Sequence, residues 1–260
     1  MRDGGPERPL RIENRGAVRL LVLDRGKANA LDPDLVRTLH DAALEAEGDG
    51  SVRGVVLTSA SPRVFCGGFD LAKMGTADRE TFGRFIRGFE ALFYALFLYR
   101  KPLVAALPGH AVAGGCLLAG TADFRWAAEG TGTIGLPEAS LGVHVPRHFL
   151  EALRATVGDH ALTRWSLSRG AVSFSEALSL GAVDRLLPPA GLLDAAVAYA
   201  EELGTAPGDV YASVKRDLRG TAYEKAREVL EESRAVFVDS WFSEAGQKGI
   251  AATLARLRQR

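Results

Sequence analysis

The chain reads as an α/β protein with largely parallel strand pairing, and three observations predict it. Short Val- and Leu-rich runs recur between longer stretches with helical spacing of apolar residues, the pattern of strands alternating with helices. At 260 residues, with 47% hydrophobic and 25% charged side chains, the chain can bury one large core, alone or with a small appendage. The last fifty or so residues contain no strand-like run and read as helical throughout, a region different in kind from the rest.

In order, residues 1–9 are rich in Gly, Pro and charge and read as a flexible tail. "AVRLLVLDR" (17–25) is a buried strand. "LDPDLVRTLHDAALEAEGDG" follows as a helix that Asp32 can cap, with Pro33 suited to its first turn and Gly48 to its end. "GVVLTSA" (54–60) is a second strand. Residues 78–100 place Phe82, Phe85, Ile86, Phe89, Leu92, Phe93, Leu96 and Phe97 at helical spacing and stop before Pro102. "PLVAALPG" (102–109), "ADFRWAAE" (122–129) and "AVDRLLPP" (182–189) supply further strands, and an Ala-rich helix covers about 190–204. From about 207 to 260 the helical pattern has expected breaks near Gly220 and Gly246. Its Val229, Leu230, Val236, Phe237, Trp241, Phe242, Ile250, Leu254 and Leu257 exceed what a solvated tail carries, so the region packs on the core or on another subunit. No internal repeat of 20–50 residues is visible.

Lys+Arg and Asp+Glu both number 32, and no polybasic block stands out, which argues against nucleic acid or an anionic membrane as partner. Cys66 and Cys116 form neither a disulfide framework nor a CxxC site. The first ten residues lack the apolar centre of an export signal, and "ALFYALFLY" (91–99) is about half of the ~20 residues a membrane span needs. These features predict a cytoplasmic, reduced protein.

Several motifs invite chemistry. "GTGTIG" (130–135) matches the dinucleotide fingerprint, but no convincing helix follows it and it falls in mid-chain, so an ordinary turn is the better reading. His144 and His148 are separated by Pro146 and accompany no metal-ligand cluster. There is neither a G-x-S-x-G elbow nor a P-loop. Two Gly-Gly turns remain, in "RVFCGGFDL" (63–71) and "HAVAGGC" (110–116), each between a strand and a helix start. On neighbouring parallel strands, such turns could aim one amide each at a single oxygen, forming an oxyanion hole from backbone. Equally, they could be no more than two tight turns. Glu138 is a lone acid in "GTIGLPEASLG" (132–142). It could be a proton-transfer group whose pKa is raised by apolar surroundings, or a solvent-facing loop acid.

Taken together, "LDRGKANALDPDL", "VFCGGFDLAKM", "KPLVAALPGHAVAGGCLLAG", "IGLPEASLGV" and "SFSEALSLGAVDRLLP" resemble the crotonase superfamily, the enoyl-CoA hydratase/isomerase family, in order and spacing. The resemblance implies a crotonase-like spiral of ββα turns over residues 10–205 and a C-terminal helical region, 206–260, used in trimerisation. It implies an acyl-CoA or acyl-carrier thioester substrate, a homotrimer or dimer of trimers, and neither a metal nor a redox cofactor. Carried over by position, the amides of Phe69 and Gly114 form the oxyanion hole and Glu138 matches a catalytic glutamate. Lys27, Ala28, Gly67, Gly68, Asp70 and Leu71 lie along the CoA and pantetheine, with Lys73 near the phosphates.

One departure bears on the reaction. Hydratases of the family carry a second glutamate three residues after the oxyanion glycine, and here that position is Leu117. Leucine can neither hold a water nor move its proton. The pattern "AGGCLLAG", "IGLPEASLG" and "LGVHVPRHFL" is similar to the Δ3,Δ2-enoyl-CoA isomerase branch. The resemblance therefore implies an isomerase working through Glu138 alone. Another crotonase-type thioester-enolate reaction (weak enoyl-CoA hydration, or decarboxylation or isomerisation of a CoA- or carrier-bound intermediate), or acyl-CoA binding without catalysis, are the alternatives. Phe69 is bulkier than the residue usual in hydratases and is expected to reshape the acyl pocket, with the Phe-rich helix at 78–97 as another wall.

Overall fold

Val18, Leu20 and Val22 face one hydrophobic core and Leu21 and Leu23 another, which is why this strand reads as an unbroken apolar run. The computed structural model describes residues 9–130, 132–167, 170–207 and 209–258. All but the last residue of the predicted N-terminal tail, 1–9, lies outside them.

Four successive ββα turns follow. The first comprises β1 (Leu10–Arg15), β2 (Val18–Leu23) and α1 (Pro33–Gly48). The second has β3 (Gly54–Ser59), β4 (Val64–Cys66), a short α2 (Leu71–Met74) and α3 (Arg79–Phe97). The third has β5 (Leu103–Leu107), β6 (His110–Val112) and α4 (Gly114–Thr121). The fourth has β7 (Phe124–Ala128), β8 (Thr133–Gly135), a 3₁₀ turn at Pro137–Leu141 and α5 (Arg147–Leu167). Then come β9 (Val172–Ser173), α6 (Phe174–Ser179), β10 (Arg185–Leu187) and α7 (Pro189–Leu203). The chain closes with α8 (Val210–Glu228), α9 (Leu230–Trp241) and α10 (Glu244–Arg258).

From the second turn onward, each repeat sends its first strand to one sheet and its second to the other. The larger sheet runs β1-β2-β3-β5-β7-β10, parallel except for β1 at its edge. The smaller runs β4-β6-β8-β9, parallel except for β9. α7 covers the outer face of the larger sheet through Leu192, Ala196 and Ala200. This is the α/β spiral of ββα turns expected.

Several expectations need correction. β1 was not foreseen, because only Leu10 of its six residues is buried and the run lacks an apolar signal. The break expected near Gly246 falls at Phe242–Ser243, between α9 and α10, whereas the one expected near Gly220 is absent: α8 runs through that glycine and the chain bends at Val229 instead. Gly246 serves close packing, since a Cβ there would lie 2.3 Å from the Ser240 carbonyl oxygen. The tail packs on the core through Phe237, Val238, Trp241 and Ile250, while Val236 and Leu257 remain exposed.

α8 is fastened by a buried charge cluster. Asp123 accepts from Lys215 Nζ at 2.7 Å, Arg219 Nη2 at 2.8 Å and the Tyr211 hydroxyl at 2.9 Å. Arg219 also donates to the Phe97 and Thr121 carbonyls, which close α3 and α4. Burial pushes the Lys215 pKa down to about 8 despite the Asp123 charge. Asp123→Asn would leave two buried cations without a counterion. A stability loss of about 3–5 kcal/mol is expected, read from chemical denaturation. A loss under about 1 kcal/mol would show that water reaches the cluster.

Candidate active site

The two Gly-Gly turns meet. β4 and β6 pair in parallel, and each leads directly into one of the turns. Leu31 N–H donates to the Gly68 carbonyl and Asp70 N–H to the Leu31 carbonyl, both at 2.8 Å. In this parallel bridge the N–H of the intervening Phe69 points away from Leu31. Gly68 has φ +90, and a Cβ there would lie 2.8 Å from that of Ala113 and 3.2 Å from the Gly114 nitrogen, so a side chain would force the turns apart.

Ala113 precedes α4 at φ 52 and ψ −126, a strained conformation for a residue with a side chain. It turns the chain so that Gly114 opens the helix, where a first-turn N–H has no intrahelical acceptor. A Cβ on Gly114 would stand 3.0 Å from the Phe69 ring. Thus the chain brings the Gly68–Phe69 turn against the start of α4.

Both border a cavity of about 540 Å³ that Glu138 also lines. Glu138 rides on the 3₁₀ turn after Pro137 and is 7% exposed. Its Oε2 finds no hydrogen-bond partner among the described residues. Burial without a compensating cation pushes its pKa up to about 7. The solvent-facing reading of this acid is therefore wrong. Leu117, one turn into α4, is 2% exposed and lines the same cavity. Asp70 is a second carboxylate at its border, but it caps α2 by accepting from the Ala72 and Lys73 amides.

Of the other residues singled out in the sequence, Ala28, Gly67 and Leu71 border the cavity. Gly68, Lys27 and Lys73 are not among its lining residues. Lys73 is engaged with Asp32 at 2.6 Å. The Phe-rich helix does not form a wall as expected, because no described residue of α3 borders the cavity. Instead its Phe85 and Phe89 back the Phe69 ring edge-to-face, with centroids at 4.8 and 5.0 Å. The apolar wall comes from Phe149, Phe237 and Trp241, joined by Leu254 and Leu257 of α10.

The structure adds Gly249 and Asn29, which the sequence did not single out, and gives Ile250 and His148 their surroundings. α10 reaches the base side through Gly249, where a Cβ would lie 2.0 Å from the Leu141 carbonyl oxygen. It reaches the other side through Ile250, whose Cγ2 stands 3.0 Å from a Cβ built on Gly75. Asn29, at φ 47 and 1% exposed, donates to Ser59 Oγ and the Phe65 carbonyl, tying the 25–32 loop to β4. An Asn-Ala-Leu-Asp run with an αL-tolerant Asn was the available signal. His148 is fully buried, with Nδ1 3.0 Å from Ser233 Oγ and Nε2 3.3 Å from Glu90. Burial, aided by the Arg234 charge, pushes its pKa down to about 3.

Other chemistries find little support. Burial pushes the Cys66 thiol up to about 12 and Cys116 well above its ordinary range, so neither is a ready nucleophile. Among the described residues no three His, Cys, Asp or Glu side chains group as metal ligands. In the described part of "GTGTIG", Gly132 and Gly135 serve close packing against Phe174 and Gly170, and only the short 3₁₀ turn at Pro137–Leu141 follows, not an α-helix. Among the described residues no helix is long and apolar enough to cross a membrane.

Two glycine-rich turns and one buried carboxylate without a cation, all bordering a shared cavity, define a candidate enzyme site suited to proton transfer. The family model described as enoyl-CoA hydratase/isomerase matches residues 13–259, and the chain belongs to that family. It is 30% identical over 217 residues to "Enoyl-CoA delta isomerase 2, peroxisomal" of Arabidopsis thaliana, covering 80% of this chain and 90% of that one. It is 31% identical over 252 residues to "Probable enoyl-CoA hydratase" of Rhizobium meliloti (strain 1021), covering 95% of each. The fold matches human mitochondrial delta3-delta2-enoyl-CoA isomerase with a TM-score of 0.91 at 26% identity, over 97% of this chain and 99% of that one. Relatives thus bear both isomerase and hydratase names, and the choice between reactions falls to the site.

Proposed function

We propose that the protein moves the double bond of a 3-enoyl-CoA thioester to the 2-position, with Glu138 as its acid and base. The observation that carries this reading is one buried carboxylate without a cation at the cavity, with Leu117 where a second acid would serve hydration and the other described border acid, Asp70, committed to capping α2. Ionised Glu138 takes a proton from C2, and the electrons of that C–H bond delocalise through the thioester onto its oxygen. The Phe69 and Gly114 amides receive that oxygen, so the dienolate forms against donors already in place. Protonated Glu138 then returns its proton to C4, and the new C2–C3 double bond is conjugated with the thioester. No water is consumed, and the scheme calls for neither metal nor redox cofactor.

A pKa near 7 suits both halves of the cycle, since the same group must first accept and then release a proton. The apolar wall of Phe149, Phe237 and Trp241 supports an acyl chain as occupant. Assembly into a homotrimer belongs to the same reading. Val210, Val214 and Leu218, exposed along one side of α8, supply an apolar face for it.

The direct test is turnover of 3-enoyl-CoA, followed as formation of the conjugated 2-enoyl thioester. Hydration of 2-enoyl-CoA without isomerisation would overturn the assignment. Leu117→Glu is expected to introduce measurable hydratase activity while lowering isomerase activity, because a second carboxylate can hold a water at the same cavity. Unchanged hydration would mean that positions beyond 117 separate the two reactions.

A further inference from the structure

The Phe69 amide is aimed by a segment that has few residues and little regular structure of its own. Between β4 and α2, residues 67–70 are laced to the 25–32 loop by three hydrogen bonds, each 2.8 Å. They run from Gly67 N–H to the Ala28 carbonyl, from Leu31 N–H to the Gly68 carbonyl and from Asp70 N–H to the Leu31 carbonyl. The next residue along the loop is Asp32, whose side chain is 1% exposed. Its carboxylate caps α1 by accepting from Leu35 N–H at 3.0 Å. It also accepts from both terminal nitrogens of Arg25 and, at 2.6 Å, from Lys73 Nζ on α2. Burial works to raise the Asp32 pKa, but the hydrogen bonds from Lys73 and Arg25 outweigh it and hold the carboxyl below its ordinary value.

Capping alone does not require this arrangement. Serine, threonine or asparagine caps a helix comparably without burying a charge. A buried carboxylate with two cations contributes little net stability compared with apolar packing. What it adds here is geometry. Asp32 and Lys73 close a clamp whose jaws are the 25–32 loop and the start of α2, and Phe69 lies between them.

We infer that the Asp32–Lys73 pair is a positioning device for the reaction, holding residues 67–73 in register so that the Phe69 N–H stays aimed at the thioester oxygen. This rests on the isomerase reading above. It assigns Lys73 to the protein's own carboxylate instead of to the phosphates of the substrate.

The test is steady-state kinetics on 3-enoyl-CoA for Asp32→Ser, which keeps a helix cap but removes the charge, for Lys73→Met, for the double variant and for Lys73→Arg. Each of the first two should lower kcat about 10–100-fold with KM changed less than about twofold, as expected for misplacement of a transition-state donor. The double variant should be no worse than the poorer single one, because both break the same link. Lys73→Arg should recover most of kcat. Should Asp32→Ser fail to fold, Lys73→Met and Lys73→Arg carry the test alone, at a position that is half exposed. Lys73→Met with raised KM and unchanged kcat would place Lys73 on the substrate and overturn the inference, as would losses that multiply in the double variant. A wild type that does not isomerise 3-enoyl-CoA overturns the underlying reading and this inference with it. An active wild type with unaffected variants overturns only the inference.

Discussion

Glu138→Gln is expected to abolish isomerisation while making the protein more stable at alkaline pH. The catalytic loss should be about 10²–10⁴-fold in kcat, the usual contribution of a general acid–base group. Glutamine is close in shape, so the cavity and its amides should survive. The stability effect follows from the raised pKa of about 7 against an ordinary value of 4.5. The native state holds the proton more tightly than the unfolded chain does. Wild type therefore loses no stability at this group below about pH 4.5 and becomes progressively less stable through about pH 7, after which the penalty is complete. At one unit per 1.36 kcal/mol the penalty is about 3 kcal/mol, and Glu138→Gln escapes it. Denaturation of both proteins at pH 4.5 and pH 8 gives the comparison; a difference that does not grow with pH would mean that Glu138 is not buried as a charge. In the wild type, kcat/KM should rise as pH passes through about 7 and then level, since the free enzyme must present an ionised base. A profile flat from pH 5 to 9 would assign the proton transfer to another group.

The second large effect is expected from a residue with no side chain. Gly115 is not the residue whose amide is proposed as a donor, yet a Cβ on it would lie 2.1 Å from the Cys66 carbonyl oxygen and 2.8 Å from the Cys66 Cβ. Both neighbours are buried and one is backbone, so nothing flexible can yield. Gly115→Ala must push the start of α4 away from the end of β4. That movement separates the Gly114 amide from the Phe69 amide. A loss of about 10²–10³-fold in kcat is expected, the effect of removing one oxyanion donor, together with lower thermal stability. Gly220→Ala is the control. It stands within α8 with nothing within 4 Å of a Cβ, and should leave activity intact while stabilising by about 0.5–1 kcal/mol. Activity retained in Gly115→Ala would mean that the two turns need not touch for the reaction.

Much of the architecture was legible before any coordinates. α1 announced itself through Asp32 and Pro33, and the observed cap is the Asp32 side chain with Pro33 in the first turn. α3 was legible because Phe82, Phe85, Phe89, Phe93 and Phe97 keep helical spacing and all are buried. β3 and β5 were legible because both faces are covered, which leaves uninterrupted Val, Leu and Ala. The smaller sheet was not legible. Its strands are two or three residues long and sit inside glycine-rich turns, where periodicity has no length over which to show. The tail break near Gly246 was legible, but the one near Gly220 is absent, because one glycine costs a helix only about 1 kcal/mol relative to alanine and the 19-residue α8 absorbs it.

The sequence by itself determined which groups were available: two Gly-Gly turns, one acid at 138 and a leucine at 117. Those choices depend on residue type and order, and a chain carries them wherever it folds. Only the tertiary structure decided that the turns meet, that Glu138 is buried without a counterion, and that Phe69 is backed by α3 while α9 and α10 wall the cavity. Burial and proximity are relations between segments far apart in the chain. The pKa of a carboxylate and the aim of an amide come from those relations, so neither could be read from the neighbours in sequence.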